Sequence, residues 1–142
     1  MPTTVETDIL ILGSGGAGLF AALHAKKAAP DLQVTVAVKG LLGRDVDVGT
    51  GQRAAELCAI NILAQAKAAL GGDLGRIVRV VKLNGFVASE PSFTEQHLII
   101  NGASNLIAEV LGERGKHARA AVGMACLPLN ASVEIDAVIE IG

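Results

Sequence analysis

The stretch HARAAVGMACLPLNASVEIDA, residues 117–137, holds two apolar runs on either side of a Leu-Pro step. Ala118–Leu127 and Val133–Ile141 are short, aliphatic, and joined by Pro128, Leu129, Asn130 and Ala131. Runs of this kind around a Pro- and Asn-bearing turn predict two strands paired as a hairpin. The first run carries Arg119 near its start, and the second carries Glu134, Asp136 and Glu140.

Upstream of the hairpin the pattern alternates between helix and strand. Ser92 or Thr94 can cap a helix carrying Leu98, Ile99, Ile100, Leu106, Ile107, Val110 and Leu111, which Gly112 ends. Ile77–Val87 reads as a β-branched strand. Before it, Gln52–Leu70 interleaves Ala, Leu, Ile and Cys with Arg53, Glu56, Asn61, Gln65 and Lys67, the signature of a helix, and Gly71 and Gly72 stop it.

The first forty residues have a different character. Asp8–Leu12 predicts a strand, ILGSGGAGLF (residues 11–20) opens a helix that runs to Ala29, and Leu32–Val38 predicts a second strand. Within the turn, Gly13, Gly15 and Gly18 form G-x-G-x-x-G in a β-α-β context. Glycines there let the backbone approach a phosphate, and the helix N-terminus offers unpaired N–H groups to it. The Gly- and Asp-bearing segment 40–50 connects this unit to the rest. The C-terminal sheet is expected to recruit one or both of these strands, because an uncovered sheet edge is a liability.

Composition bounds the function. One domain is expected for 142 residues, with a core of Ala, Val, Leu and Ile, since there is no Trp or Tyr and only three Phe. A net charge of −2 and dispersed lysines give no stripe for nucleic acid. Charged and Pro residues interrupt every apolar run before membrane-spanning length, and MPTTVETD does not resemble a signal peptide, so a cytoplasmic protein is expected. Cys58 and Cys126 read as separate, buried, reduced thiols. His24, His97 and His117 lack paired metal-ligand spacing, so no metal site is expected. With 51% apolar and 18% charged residues, some buried interface between copies is favoured.

Two resemblances follow from these stretches. From about Gly43 to the C-terminus, the pieces AALGG, VVKLNGFVAS, FTEQHLIINGAS and HARAAVGMACLPLNASVEIDA resemble the RidA family, also called YjgF/YER057c/UK114 or L-PSP. That likeness implies an α/β, chorismate-mutase-like mixed sheet backed by helices, assembled as a homotrimer with ligand clefts between subunits. It implies no cofactor, and a hydrolase acting on 2-imino or enamine acids, of the 2-iminobutanoate/2-iminopropanoate deaminase type, that yields 2-oxo acids and ammonia. Other members have been described as endoribonucleases or translation inhibitors. The family's substrate-binding arginine falls on Arg119, a glutamate able to orient the hydrolytic water on Glu134, and a cleft-mouth asparagine on Asn101. From the residues alone, these three read equally as a strand-edge charge, its salt-bridge partner and a helix-surface amide.

Residues 7–44, in contrast, resemble the opening of the fumarate reductase, succinate dehydrogenase and aspartate oxidase flavoproteins, in which Gly13, Gly15 and Gly18 would hold an FAD phosphate. This β-α-β segment stands where RidA-like proteins place their first strands, which supply a Ser-Gly turn and often a Tyr to the cleft. A natural fusion, a recombinant and a designed chimera would each look like this. The alternatives to a deaminase or small-carboxylate binder are therefore an FAD- or dinucleotide-binding fragment, or a chimera without activity.

Overall fold

The computed structural model describes residues 9–11, 34–36 and 38–142. In chain order these form β1 (Ile9–Ile11), β2 (Val34–Val36), α1 (Val48–Ala69), β3 (Ile77–Ala88), α2 (Gln96–Leu111), β4 (Ala118–Met124) and β5 (Val133–Ile141). The main sheet has the order β4-β3-β5, with β4 parallel and β5 antiparallel to the central strand. It is a mixed sheet backed by the two helices.

The hairpin expected at Pro128 is not there. Both runs are strands, but β3 lies between them and pairs with each, Leu83 facing Arg119 on one side and Ala137 on the other. Instead of a tight turn, residues 125–132 cross the end of β3: Ser89 N–H donates to Met124 O and Ala88 N–H to Ser132 O. The physical reason lies in β3, the longest strand at 12 residues. A hairpin of β4 with β5 would leave one of its edges without ladder partners, whereas intercalation satisfies both. Leu129 and Asn130 both take positive φ, 56° and 60°, to bring the crossing chain down into β5.

Alternation along β3 sorts the sheet into two faces. Leu83 and Val87 are buried beneath the helices together with Ile135 of β5, Ile99, Ile100 and Ile107 of α2, and Ala55, Cys58 and Ala59 of α1. The opposite, open face carries Asn84 and Phe86, with Val122, Glu134, Asp136 and Val138 beside them by register. Val122 and Val138 are 44% and 52% exposed there.

Both helices start differently from expectation. α1 begins at Val48, upstream of Gln52, because the Asp47 carboxylate caps it by accepting from Thr50 N–H at 2.9 Å and Thr50 Oγ1 at 2.8 Å. Neither Ser92 nor Thr94 caps α2; its N-cap is Glu95, without a side-chain cap bond. Gln96 turns back to donate to Phe93 O at 2.6 Å and occupies that end instead. Gly112 ends α2 as the sequence predicts, with φ of 60°.

Two further expectations are corrected. β1 and β2 do pair in parallel, Leu10 opposite Thr35, as a β-α-β unit requires. They form a two-stranded sheet of their own rather than joining β4-β3-β5. Each uses the other as its ladder partner, and the end of the main sheet is met by the connection, through bridges of Lys39 to Ala131 and Leu42 to Ser89. Leu42 is fully buried in the process. Cys58 is buried, but Cys126 is exposed, because β4 ends at Met124 and Cys126 rides on the crossing loop. No helix among the described residues is long and apolar enough to cross a membrane.

Candidate functional site

β4 brings Arg119 beside α2. Its register partner Leu83 points toward the helices, so Arg119 does too, at the sheet edge where the side chain stays exposed. There Arg119 Nη1 donates to Asn101 Oδ1 at 2.8 Å and to Ser104 Oγ at 3.1 Å. Ser104 Oγ in turn lies 3.0 Å from His117 Nε2, and His117 Nδ1 lies 2.5 Å from Gly115 O. Four side chains, two from α2, one from β4 and one from the residue just before it, therefore form a single chain of hydrogen bonds ending on a backbone carbonyl.

Close packing sets this alignment. Gly102, between Asn101 and Ser104 on α2, lies against the backbone of Gln52 in α1, and a Cβ there would collide with the Gln52 carbonyl. Gln52 Nε2 also donates to Leu98 O at 3.0 Å, tying the two helices at that level. Gly115 sits in the same way beneath Ile107 O, where no side chain fits. The carbonyl that receives His117 is thereby held against the end of α2.

The geometry leaves one edge of the guanidinium open. Both Nη1 hydrogens are committed to Asn101 and Ser104, and Nε and Nη2 make no hydrogen bond among the described residues. Nε–H and one Nη2–H run parallel, the fork that matches a carboxylate. Asn101 is accordingly an anchor of Arg119 through its oxygen, and its amide N–H groups remain as donors beside that fork.

Of the three site residues picked out from the sequence, the structure unites Arg119 with Asn101 and separates Glu134 from both. Glu134 faces Phe86 across the β3–β5 ladder, on the open side of the sheet, with the width of β3 between β5 and β4. Ser104 and His117 escaped the sequence reading, although a signal was present. Ser104 is three residues after Asn101 on one helix face, and His117 is two before Arg119, just ahead of the strand. Gly13, Gly15 and Gly18, with the helix expected after them, lie outside the described residues.

A groove of about 550 Å³ lies elsewhere, between α1 and β5, walled by Ile62, Ala66, Leu70, Ile135, Ala137 and Ile139. Its lining is mostly aliphatic, with Gln65, Glu134 and Asp136 as its polar members, and Arg119 is not part of it. No group of three or more His, Cys, Asp or Glu side chains converges to hold a metal among the described residues.

Comparison with known proteins agrees with this architecture. Residues 17–141 match the family described as "YjgF/chorismate_mutase-like, putative endoribonuclease", a match that begins well before Gly43, where the likeness was expected to start. Protein TCP17 of Trypanosoma cruzi is 52% identical over 120 residues, 84% of this chain and 74% of its own length. A crystal structure of an Agrobacterium tumefaciens protein of unknown function superposes with a TM-score of 0.75 and 76% identity, covering 76% of this chain and 69% of that one. A Shewanella oneidensis crystal structure bearing the same enzymatic description as the family aligns with a TM-score of 0.73 and 34% identity, over 79% and 74% of the two chains. With its mixed sheet, two backing helices and a match over most of its length, this chain belongs to the YjgF/RidA family of chorismate-mutase-like proteins.

Proposed function

We propose that this protein is a RidA-type deaminase of 2-imino and enamine acids, working as a homotrimer with its clefts between subunits. The observation that carries the reading is the Arg119 fork: Nη1 anchored, Nε and Nη2 directed outward, at an exposed sheet edge. A 2-imino acid offers a carboxylate to that fork, which holds the adjacent C=N carbon at a fixed distance from the strand. Water adds to that carbon, the C–N bond breaks, nitrogen leaves as ammonia, and the oxygen stays as the carbonyl of the 2-oxo acid. Glu134 orients the water. Because Arg119 and Glu134 face opposite sides of the sheet within one chain, a site using both takes Glu134 from a neighbouring copy. Exposed Val122 and Val138, on the face that Glu134 shares, supply apolar surface for that contact. No step runs through a flavin or a metal.

The test is release of 2-oxobutanoate and ammonia from freshly generated 2-iminobutanoate, with light scattering on the same sample. The expected result is turnover by a particle of three 14.4 kDa chains, abolished in Arg119→Ala. A strict monomer without turnover, or full turnover in Arg119→Ala, overturns the proposal.

A further inference from the structure

We infer that Ser104 and His117 are positioning residues that set the guanidinium of Arg119 for its ligand; this rests on the reading of Arg119 as the carboxylate fork. The directions of the hydrogen bonds carry the argument. Gly115 O can only accept, so the proton of the neutral His117 ring sits on Nδ1, and Nε2 is left as an acceptor. The Ser104 hydroxyl then donates to Nε2 and turns its lone pairs toward Arg119, which can only donate. In the opposite orientation, the hydroxyl hydrogen would face the Nη1 hydrogens and the bond would be lost.

His117 therefore fixes the Ser104 rotor, and Ser104 with Asn101 consumes both Nη1 hydrogens. Two acceptors on one nitrogen fix the guanidinium plane as well as its position, so the Nε/Nη2 edge faces out before a ligand arrives. A free arginine at a sheet edge would lose its rotamer freedom on binding, and preorganisation removes that cost. Gly115 completes the device, since any side chain there would displace the carbonyl that sets the His117 tautomer.

Calorimetric binding of 2-oxobutanoate, and of 2-oxobutanamide as the analogue without a carboxylate, tests the inference. Ser104→Ala and His117→Ala should weaken 2-oxobutanoate by about 5- to 10-fold, the worth of one lost hydrogen bond, and leave the amide unaffected. Ser104→Thr and His117→Gln, which keep the hydroxyl and the acceptor, should bind like the parent. Unchanged 2-oxobutanoate affinity in Ser104→Ala, alongside lost affinity in Arg119→Ala, overturns the inference and leaves the fork intact. Equal affinity in the parent and Arg119→Ala, or none in either, overturns the fork itself and the inference with it. A second measurement needs no ligand: nitrogen NMR of the Arg119 side chain should show separate Nη1 and Nη2 signals in the parent that merge in Ser104→Ala and His117→Ala. Separate signals in Ser104→Ala also overturn it.

Discussion

The two flanks of the sheet use the same central strand for opposite ends. On one flank β4 lies against α2, and the contact is a polar chain through Asn101, Arg119, Ser104 and His117. On the other, β5 lies against α1 and the contact is aliphatic, Ile135 and Ile139 against Ile62, Ala66 and Leu70. Both edge strands carry a charged residue close to their start, yet register turns Arg119 toward its helix and Glu134 away from its own. A single step in the alternation of a strand decides whether a charge enters a network beneath the helices or lies on the open face. On the proposed function, ligand binding belongs to the first flank and packing to the second.

The sharpest way to break that division is to truncate each flank and read both stability and turnover. Ile135→Ala, emptying a buried site beneath α1, should cost about 2–5 kcal/mol in denaturant unfolding while the surviving folded fraction keeps its turnover. Arg119→Ala should do the reverse. Loss of two charge-assisted bonds predicts a fall of about 100-fold or more in kcat/KM, with the unfolding midpoint almost unmoved because the side chain is exposed. If Arg119→Ala unfolded the protein as badly as Ile135→Ala, the flanks would not be divided in this way.

The open face gives a smaller effect of a different kind. Val138→Lys should leave the stability of the chain within about 0.5 kcal/mol, since that residue is half exposed, but convert the proposed trimer to monomer in light scattering. An unchanged trimer would move the interface off this face.

Acidification gives the smallest effect and bears on the connection that serves both flanks. The Asp45 carboxyl is held below its ordinary value of 3.8 by hydrogen bonding to the Arg44 guanidinium and then by Leu41 N–H. Asp47 is lowered by Thr50, through its backbone N–H first and its hydroxyl second. A carboxylate with a depressed folded pKa stabilises above its unfolded value and loses that contribution as pH falls through the folded one. Stability should therefore decline below about pH 4, modestly because both groups are exposed to solvent, and Asp45→Asn should flatten the decline. A decline centred near neutral pH would point to other groups.

Much of this molecule is legible in the chain before any folding is considered. The two helices, β3 and the strand character of 118–124 and 133–141 follow from periodicity, because burial of one face imposes a local spacing of apolar residues. Arg119 was legible only through the likeness of residues 117–137 to a known family. Helix starts were less legible: Asp47 and Gln96 compete for the terminal N–H and C=O groups with side chains that local preference ranks no higher than Ser92 or Thr94. Strand partnership is not local at all. The turn at Pro128 predicts a hairpin from its flanks, whereas the insertion of β3 depends on which edge of a distant strand would otherwise lack hydrogen bonds.

The candidate site divides along the same line. Spacing along the chain is enough to put Asn101 and Ser104 on one helix face and His117 two residues ahead of Arg119, because those are local relations. That these two pairs meet depends on the fold, through the approach of α2 to α1 at Gly102 and the parallel register of β4 on β3. It also placed Glu134 on the other side of the sheet. Register is a relation between strands far apart in the chain, and no residue's own preference encodes it.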